Sequence, residues 1–154
     1  CYAGADLAGT SRFEYPTNIR IIRVMCSGRV DRDFVLEAFR LGAGMVMVGA
    51  CHLPSDCHYI SGNWRMKERM ESLQRVLEKI GISPNRLRIA YISAAEGSVF
   101  ASTVKEMVDQ LNKMGVEKIR EENERARPYL ERMLSRKLEA LEALRPAKVG
   151  EASS

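Results

Sequence analysis

Short apolar runs alternate along this chain with longer segments whose apolar residues recur at intervals of three and four. The runs have the length of single strands, and the run at 45–50 is apolar throughout, as in a strand covered on both faces. The longer segments follow the period of an amphipathic helix, and glycine, proline or polar turns separate them. The pattern predicts strands at residues 18–24, 45–50 and 87–93 and helices at 31–41, 63–80 and 98–114.

This order, with a helix after each strand, predicts an α/β fold with a small parallel sheet and flanking helices. Three strands are visible, which is few for such a sheet, and the chain opens on Cys1 rather than on methionine. We therefore expect a first strand upstream of Cys1. Residues 1–115 form the predicted α/β domain.

A different pattern begins after Gly115, where Glu, Arg, Leu and Ala dominate. It predicts an amphipathic helical extension over 116–146, with Pro128 near its start or at an interruption, and a disordered tail at 147–154. The apolar stripe of this extension consists of Leu130, Leu134, Leu138, Leu141 and Leu144. An isolated amphipathic helix must bury this stripe, so it covers either its own domain or a partner protein.

Composition narrows the classes of function. Among 154 residues, 24 Lys and Arg are interleaved with 20 Asp and Glu, and 6% are aromatic, which argues against a nucleic-acid-binding surface. We find neither an apolar run long enough to cross a bilayer nor a signal peptide, so we expect a cytoplasmic protein without a membrane partner. In a reducing cytosol, four cysteines are metal ligands or redox groups more often than disulfides.

The cysteines are the strongest chemical signal. Cys26 and Cys51 each follow a predicted strand, so both should lie at the carboxyl edge of a parallel sheet, where such folds place ligands. Cys57 lies in the following loop, and Cys1 lies in a segment of small residues that could approach it. Four thiolates at one edge suit an iron–sulfur cluster or zinc, although buried cysteines are also common in cores.

Polar groups near these cysteines have a supporting role in this interpretation. His52 and His58 each follow a cysteine, and we expect them to form hydrogen bonds or remain in a polar loop rather than to ligate metal. The backbone amides of Ser27, Gly28 and His52, with the small residues Ala3 and Gly4, are candidate donors to sulfur. We see neither a phosphate loop nor a Ser–His–Asp set, so we expect no catalytic residues and no complete active site.

Three segments, 2–9, 20–30 and 51–63, resemble the small iron–sulfur (delta) subunit of methyl-viologen-reducing, F420-non-reducing hydrogenase, and the resemblance extends from Cys1 to about Gly115. It implies a 2Fe–2S cluster that relays electrons between a hydrogenase or formate dehydrogenase module and the flavin-containing subunit of heterodisulfide reductase. Cys26, Cys51 and Cys57 match cysteines of the family. Members usually carry a Cys-x-x-Cys pair just before the segment that begins at Tyr2, so Cys1 adjoins that position.

The candidate ligands in an electron-transfer domain at 1–115 are thus Cys1, Cys26, Cys51 and Cys57. The resemblance implies the last three, whereas Cys1 either substitutes for a ligand or lies beside the position of the family's Cys-x-x-Cys pair. The alternative function is a structural adaptor that binds zinc with the same cysteines and has no redox role.

Overall fold

The computed structural model describes residues 2–143. Two short 3-10 turns, Ser27–Arg29 and Pro84–Arg86, precede α2 and β2 respectively. The helices and strands in chain order are α1 (Tyr2–Thr10), α2 (Arg32–Arg40), β1 (Val46–Ala50), α3 (Gly62–Lys79), β2 (Leu87–Tyr91), α4 (Gly97–Met114) and α5 (Val116–Ala143). The α/β class and the order of elements from α2 onward are therefore confirmed.

The sheet of the described residues consists of β1 and β2, which run parallel. Val46 pairs with Leu87 and Ala50 with Tyr91, and the Ile92 N–H extends the ladder to the Ala50 carbonyl at 2.8 Å. Alternate side chains point to opposite faces, which is the two-residue period of a strand. Both faces are covered by helices, as expected for a parallel sheet.

The two faces of the sheet carry separate apolar cores. On one face Val48 and Leu87 pack with buried side chains of α2, α3 and α5, including Phe39, Leu73 and Leu130. On the other face Ala90 and Ile92 pack with Ala5 and Ala8 of α1 and with Phe100 and Val104 of α4. The sheet is therefore the middle layer of three, and its carboxyl edge remains available for a site.

The predicted strand at 18–24 is wrong. The segment has no strand partner among the described residues, and Ile22 is 84% exposed. Ile19 packs against the second core, but the β-branched residues beyond it have no ladder to join. β propensity is largely a preference for a packed, hydrogen-bonded surface, and it does not form a strand without one. Two of the three predicted strands are thus present in residues 2–143.

Helix α1 is an element that the pattern did not predict. Its residues are mostly small, and Ala5 and Ala8 are buried against α4. Gly4 allows this close approach, because a Cβ there would lie 2.8 Å from both the Ile92 side chain and the Ser93 carbonyl oxygen. The helix is thereby fixed beside the carboxyl end of β2.

The first half of helix α5 packs on its own domain. The sequence left open whether this helix covers its own domain or a partner protein, and the buried residues of the first half decide for its own domain. Ala126 and Leu130 are fully buried in the first core, whereas Leu138 is 61% exposed. The Leu141 side chain, Leu144 and the predicted tail at 147–154 lie outside the described residues. None of the helices within 2–143 combines the length and apolar character that crossing a membrane requires.

A buried ion pair attaches α5 to the turn before β2. Arg86 is fully buried, and its guanidinium donates to Glu122 at 2.9 Å and to the Gly44 carbonyl at 2.6 Å. Burial by itself opposes ionisation of Glu122, but hydrogen bonds from Ser83 and Arg86 outweigh it and hold the pKa of this carboxyl below its usual value. Arg86 and Glu122 therefore both find their hydrogen-bond partners within the domain.

Candidate functional site

The three cysteines among the described residues lie in loops next to regular elements. Cys26 precedes the 3-10 turn Ser27–Arg29, Cys51 follows β1 directly, and Cys57 lies in the loop before α3. All three are half-buried free thiols. Cys1 lies outside the described residues.

Gly62, the first residue of α3, is the point where two of these loops meet. A Cβ built on Gly62 would overlap Cys26 Sγ and would lie 3.3 Å from Cys57 Sγ. A Cβ on Gly28 would in turn lie 2.9 Å from Gly62 Cα. The two sulfurs thus share a cradle that any side chain at position 62 would fill, and the close approach requires glycine on both loops.

The start of α3 favours the thiolate form of Cys57. Burial alone raises the pKa of Cys57, but backbone N–H groups of Asn63, Tyr59 and Gly62 and the Cys26 thiol donate to its sulfur, and together they lower it. Two of these N–H groups belong to the first turn of an 18-residue helix, where the helix dipole also stabilises negative charge. Cys57 is therefore prepared to act as a ligand or a nucleophile.

Cys51 has a different environment. Burial raises the pKa of its thiol, and the charges of Cys57, Asp56 and Cys26 add to this effect. These contributions place Cys51 within electrostatic range of the other two sulfurs. Nevertheless, within residues 2–143 no group of three His, Cys, Asp or Glu side chains is arranged to hold a metal ion.

The turn that carries Cys26 is held from both sides. The Gly28 N–H donates to Cys26 Sγ at 3.4 Å, as predicted for this amide. The Arg69 guanidinium of α3 donates to the carbonyls of Gly28 at 3.1 Å and Val30 at 2.6 Å. These bonds fix the backbone of the turn against α3, so the orientation of Cys26 depends on the helix that also caps Cys57.

The two histidines occupy unequal positions. His52 Nε2 lies 2.6 Å from Glu96 Oε2, and the same oxygen accepts the Ser93 N–H at 2.7 Å. The hydrogen bond from His52, followed by that from Ser93, lowers the pKa of Glu96. This contact joins the loops that follow β1 and β2, whereas His58 lies exposed in the cysteine loop.

Sequence reasoning missed the main donors to sulfur. The expected amides were those of Ser27, Gly28 and His52, but the amides that act on Cys57 belong to Tyr59, Gly62 and Asn63. The available signal was the predicted helix start at residue 63, because a cysteine a few residues before a helix can receive its unpaired N–H groups. The site can stabilise at least one thiolate and hold a second sulfur beside it.

Comparison with known proteins gives one consistent result. A family model described as FlpD, methyl-viologen-reducing hydrogenase delta subunit, matches residues 1–115. The iron-sulfur subunit of the vhc F420-non-reducing hydrogenase of Methanococcus voltae is 46% identical over 114 residues, which cover 74% of this chain and 78% of that protein. The iron-sulfur subunit of the F420-non-reducing hydrogenase of Archaeoglobus profundus is 43% identical over 114 residues, covering 74% and 82% respectively.

A second kind of relative is much longer. It is one of the subunits of the ferredoxin/F420H2-dependent CoB-CoM heterodisulfide reductase of Methanosarcina acetivorans, and it is 53% identical over 114 residues, again 74% of this chain. The match spans only 14% of the length of that protein. The same unit therefore occurs both as most of a small protein and as a minor part of a large one.

Proposed function

Because the chain belongs to the FlpD family, the delta subunit of methyl-viologen-reducing hydrogenase, we propose that it is an electron-transfer protein whose cysteines hold an iron–sulfur cluster. The observation that carries this proposal is the cradle at Gly62, where Cys26 and Cys57 approach each other without an intervening side chain. The names of the matched small proteins, which are called iron-sulfur subunits, support the same cofactor.

In this proposal the ligands are Cys26, Cys51 and Cys57, with Cys1 as the fourth. A 2Fe–2S cluster, when bound, would supply a centre that accepts and releases single electrons. The amides at the start of α3 lower the pKa of Cys57, and Arg69 holds the Cys26 turn. Hydrogen bonds to sulfur also set the reduction potential of such centres, so this loop is suited to tuning as well as binding.

The proposed partners are a heterodisulfide reductase and a hydrogenase. Relatives of this chain form part of a heterodisulfide reductase polypeptide in some cases and a separate hydrogenase polypeptide in others, which supports a position between the two enzymes. We extend the proposal to the flavin-containing subunit of the reductase, which would accept the electrons, and to a hydrogenase or a formate dehydrogenase, which would donate them. Free thiols at the site are consistent with a reducing cytoplasmic location.

The test is metal analysis of the 154-residue chain purified and reconstituted without oxygen. We expect iron and acid-labile sulfide in equal amounts and a brown protein with visible absorption. In Cys57→Ser we expect the iron, the sulfide and the visible absorption to be lost. His58→Ala is the matched control, because His58 lies exposed in the same loop and should leave the spectrum unchanged. A colourless, zinc-loaded protein would refute the redox proposal and favour the zinc adaptor.

A further inference from the structure

Asn63 is a fully buried polar residue at the second position of α3. Its side-chain amide nitrogen lies 2.9 Å from the His52 carbonyl oxygen and 3.5 Å from that of Cys51, and donates to both. Its side-chain oxygen accepts the Trp64 N–H at 2.9 Å. Its own backbone N–H donates to the sulfur of Cys57. One residue thus contacts the loop after β1 and the thiol before α3.

We infer that Asn63 is a positioning residue, which holds the loop of Cys51 in place relative to the sulfur of Cys57. The role of Asn63 in cluster binding rests on the proposed function. The contacts of Asn63 do not, because they join groups of the protein and involve no cluster atom. The side chain of Asn63 reaches the two carbonyls next to β1 directly, whereas the Trp64 indole donates to the Pro54 carbonyl at 3.0 Å farther along the same loop.

Asn63 is fully buried and its two side-chain hydrogen bonds to the carbonyls are partly buried, so water can replace the amide only in part. A buried carbonyl that loses its donor bears the full cost of desolvation, whereas an exposed one exchanges its partner for water. The Asn63 side-chain nitrogen donates to the His52 carbonyl at 2.9 Å and, with the longer distance of 3.5 Å, to the Cys51 carbonyl. Removing this group should therefore release the loop that carries Cys51 and leave the Cys26 turn, which Arg69 holds, in place.

Asn63→Asp is the most selective substitution. The carboxylate keeps the shape of the side chain and the oxygen that accepts from Trp64, but it directs a lone pair at the two carbonyls in place of N–H. A negative charge in the first turn of a helix is favourable, so α3 should still form. Gln74→Glu is the matched control, because Gln74 lies on the same helix and donates its amide to the Leu87 carbonyl at 2.8 Å, away from the cysteines.

The experiment measures alkylation of each cysteine by mass spectrometry in the metal-free, reduced 154-residue chain. In Asn63→Asp we expect Cys51 to react about tenfold faster than in the wild type, equivalent to about 1.4 kcal/mol, and Cys26 to change by less than about twofold. In Gln74→Glu we expect the rate at Cys51 to stay within about twofold of the wild type. In the iron-loaded protein, Asn63→Asp should also shift the electron paramagnetic resonance spectrum and the midpoint potential, and Gln74→Glu should shift neither.

Circular dichroism establishes folding, and Asn63→Ser replaces Asn63→Asp if the latter does not fold. An unchanged rate at Cys51 in a folded Asn63 variant would overturn the inference, and so would equal acceleration in Gln74→Glu. Failure of both Asn63 variants to fold would make the residue a general determinant of stability and would overturn it as well. Absence of iron from the wild type would refute the proposed function alone, because the alkylation rates are measured without metal.

Discussion

Gly62→Ala tests whether the space beside the two cysteine sulfurs must stay empty, because the clash expected there and the higher helix propensity of alanine change stability in opposite directions. Alanine is the better helix former, and at an unobstructed helical position it stabilises by about 0.5–1 kcal/mol relative to glycine. At position 62 the new methyl group would overlap Cys26 Sγ and touch Cys57 Sγ. Such overpacking costs about 1–3 kcal/mol, so we expect a net destabilisation of about 1–2 kcal/mol, opposite in sign to the helix effect.

The assay is urea unfolding of the reduced, metal-free chain, followed by iron reconstitution of the same variant. The cheapest relief of the clash is rotation of Cys26 away from Gly62, which breaks the 3.4 Å bond from the Gly28 amide. We therefore expect iron uptake to fall by about tenfold, as for the loss of an interaction that orients a ligand. Gly9→Ala is the control, since Gly9 lies exposed in α1 with no atom within 4 Å of an added Cβ.

A Gly62→Ala protein as stable as Gly9→Ala, with wild-type iron uptake, would show that the two sulfurs do not need this cradle. Destabilisation with intact iron uptake would leave Gly62 as a packing residue and remove the main support for the proposed ligand set. The two measurements thus test the packing and the chemistry independently.

Two further predictions concern α5. In urea titrations, Leu130→Ala should lower the free energy of unfolding by about 2–5 kcal/mol, because Leu130 is fully buried. Leu138→Ala, on the exposed part of the same helix, should change it by less than about 0.5 kcal/mol. Equal effects of the two substitutions would contradict the observed packing. Glu122→Gln should cost about 3 kcal/mol at pH 7 by leaving the Arg86 charge unpaired. Because the folded pKa of Glu122 lies below its unfolded value, its contribution is complete above about pH 5 and is lost as pH falls through the folded pKa. The stability gap between wild type and variant should therefore narrow toward about pH 3, and a gap independent of pH would refute the assignment.

Hydrophobic periodicity predicted most of the fold because the elements from α2 onward carry strong local signals. Asp31 accepts the Arg32 N–H as the predicted N-cap of α2, and the strands β1 and β2 lie within the predicted apolar runs. The failures lie where the signal is not local. Residues 18–24 have strand-forming side chains, but residues 2–143 offer them no strand to pair with. Helix α1 consists of small residues that bury little area and show little periodicity.

The sequence singled out the three described cysteines as candidates, but it did not predict how their loops meet. The rule for parallel strands grouped Cys26 with Cys51, but Cys26 follows no strand, and its sulfur shares the Gly62 cradle with Cys57. That contact depends on two glycines far apart in the chain, Gly28 and Gly62, which no local pattern connects. The role of Asn63 has no local sequence signal, because its partners are the carbonyls of a loop 11 and 12 residues earlier in the chain.

The ion pair between Arg86 and Glu122 has a consequence for where this unit ends. The matched family segment stops at residue 115, but Glu122 and Leu130 lie beyond it and complete the interior of the domain. A chain cut after Gly115 would keep every described cysteine while stranding a guanidinium inside an apolar layer. The matched family segment and the packed interior therefore end at different residues, so we expect a chain cut after Gly115 to be less stable than one that keeps α5.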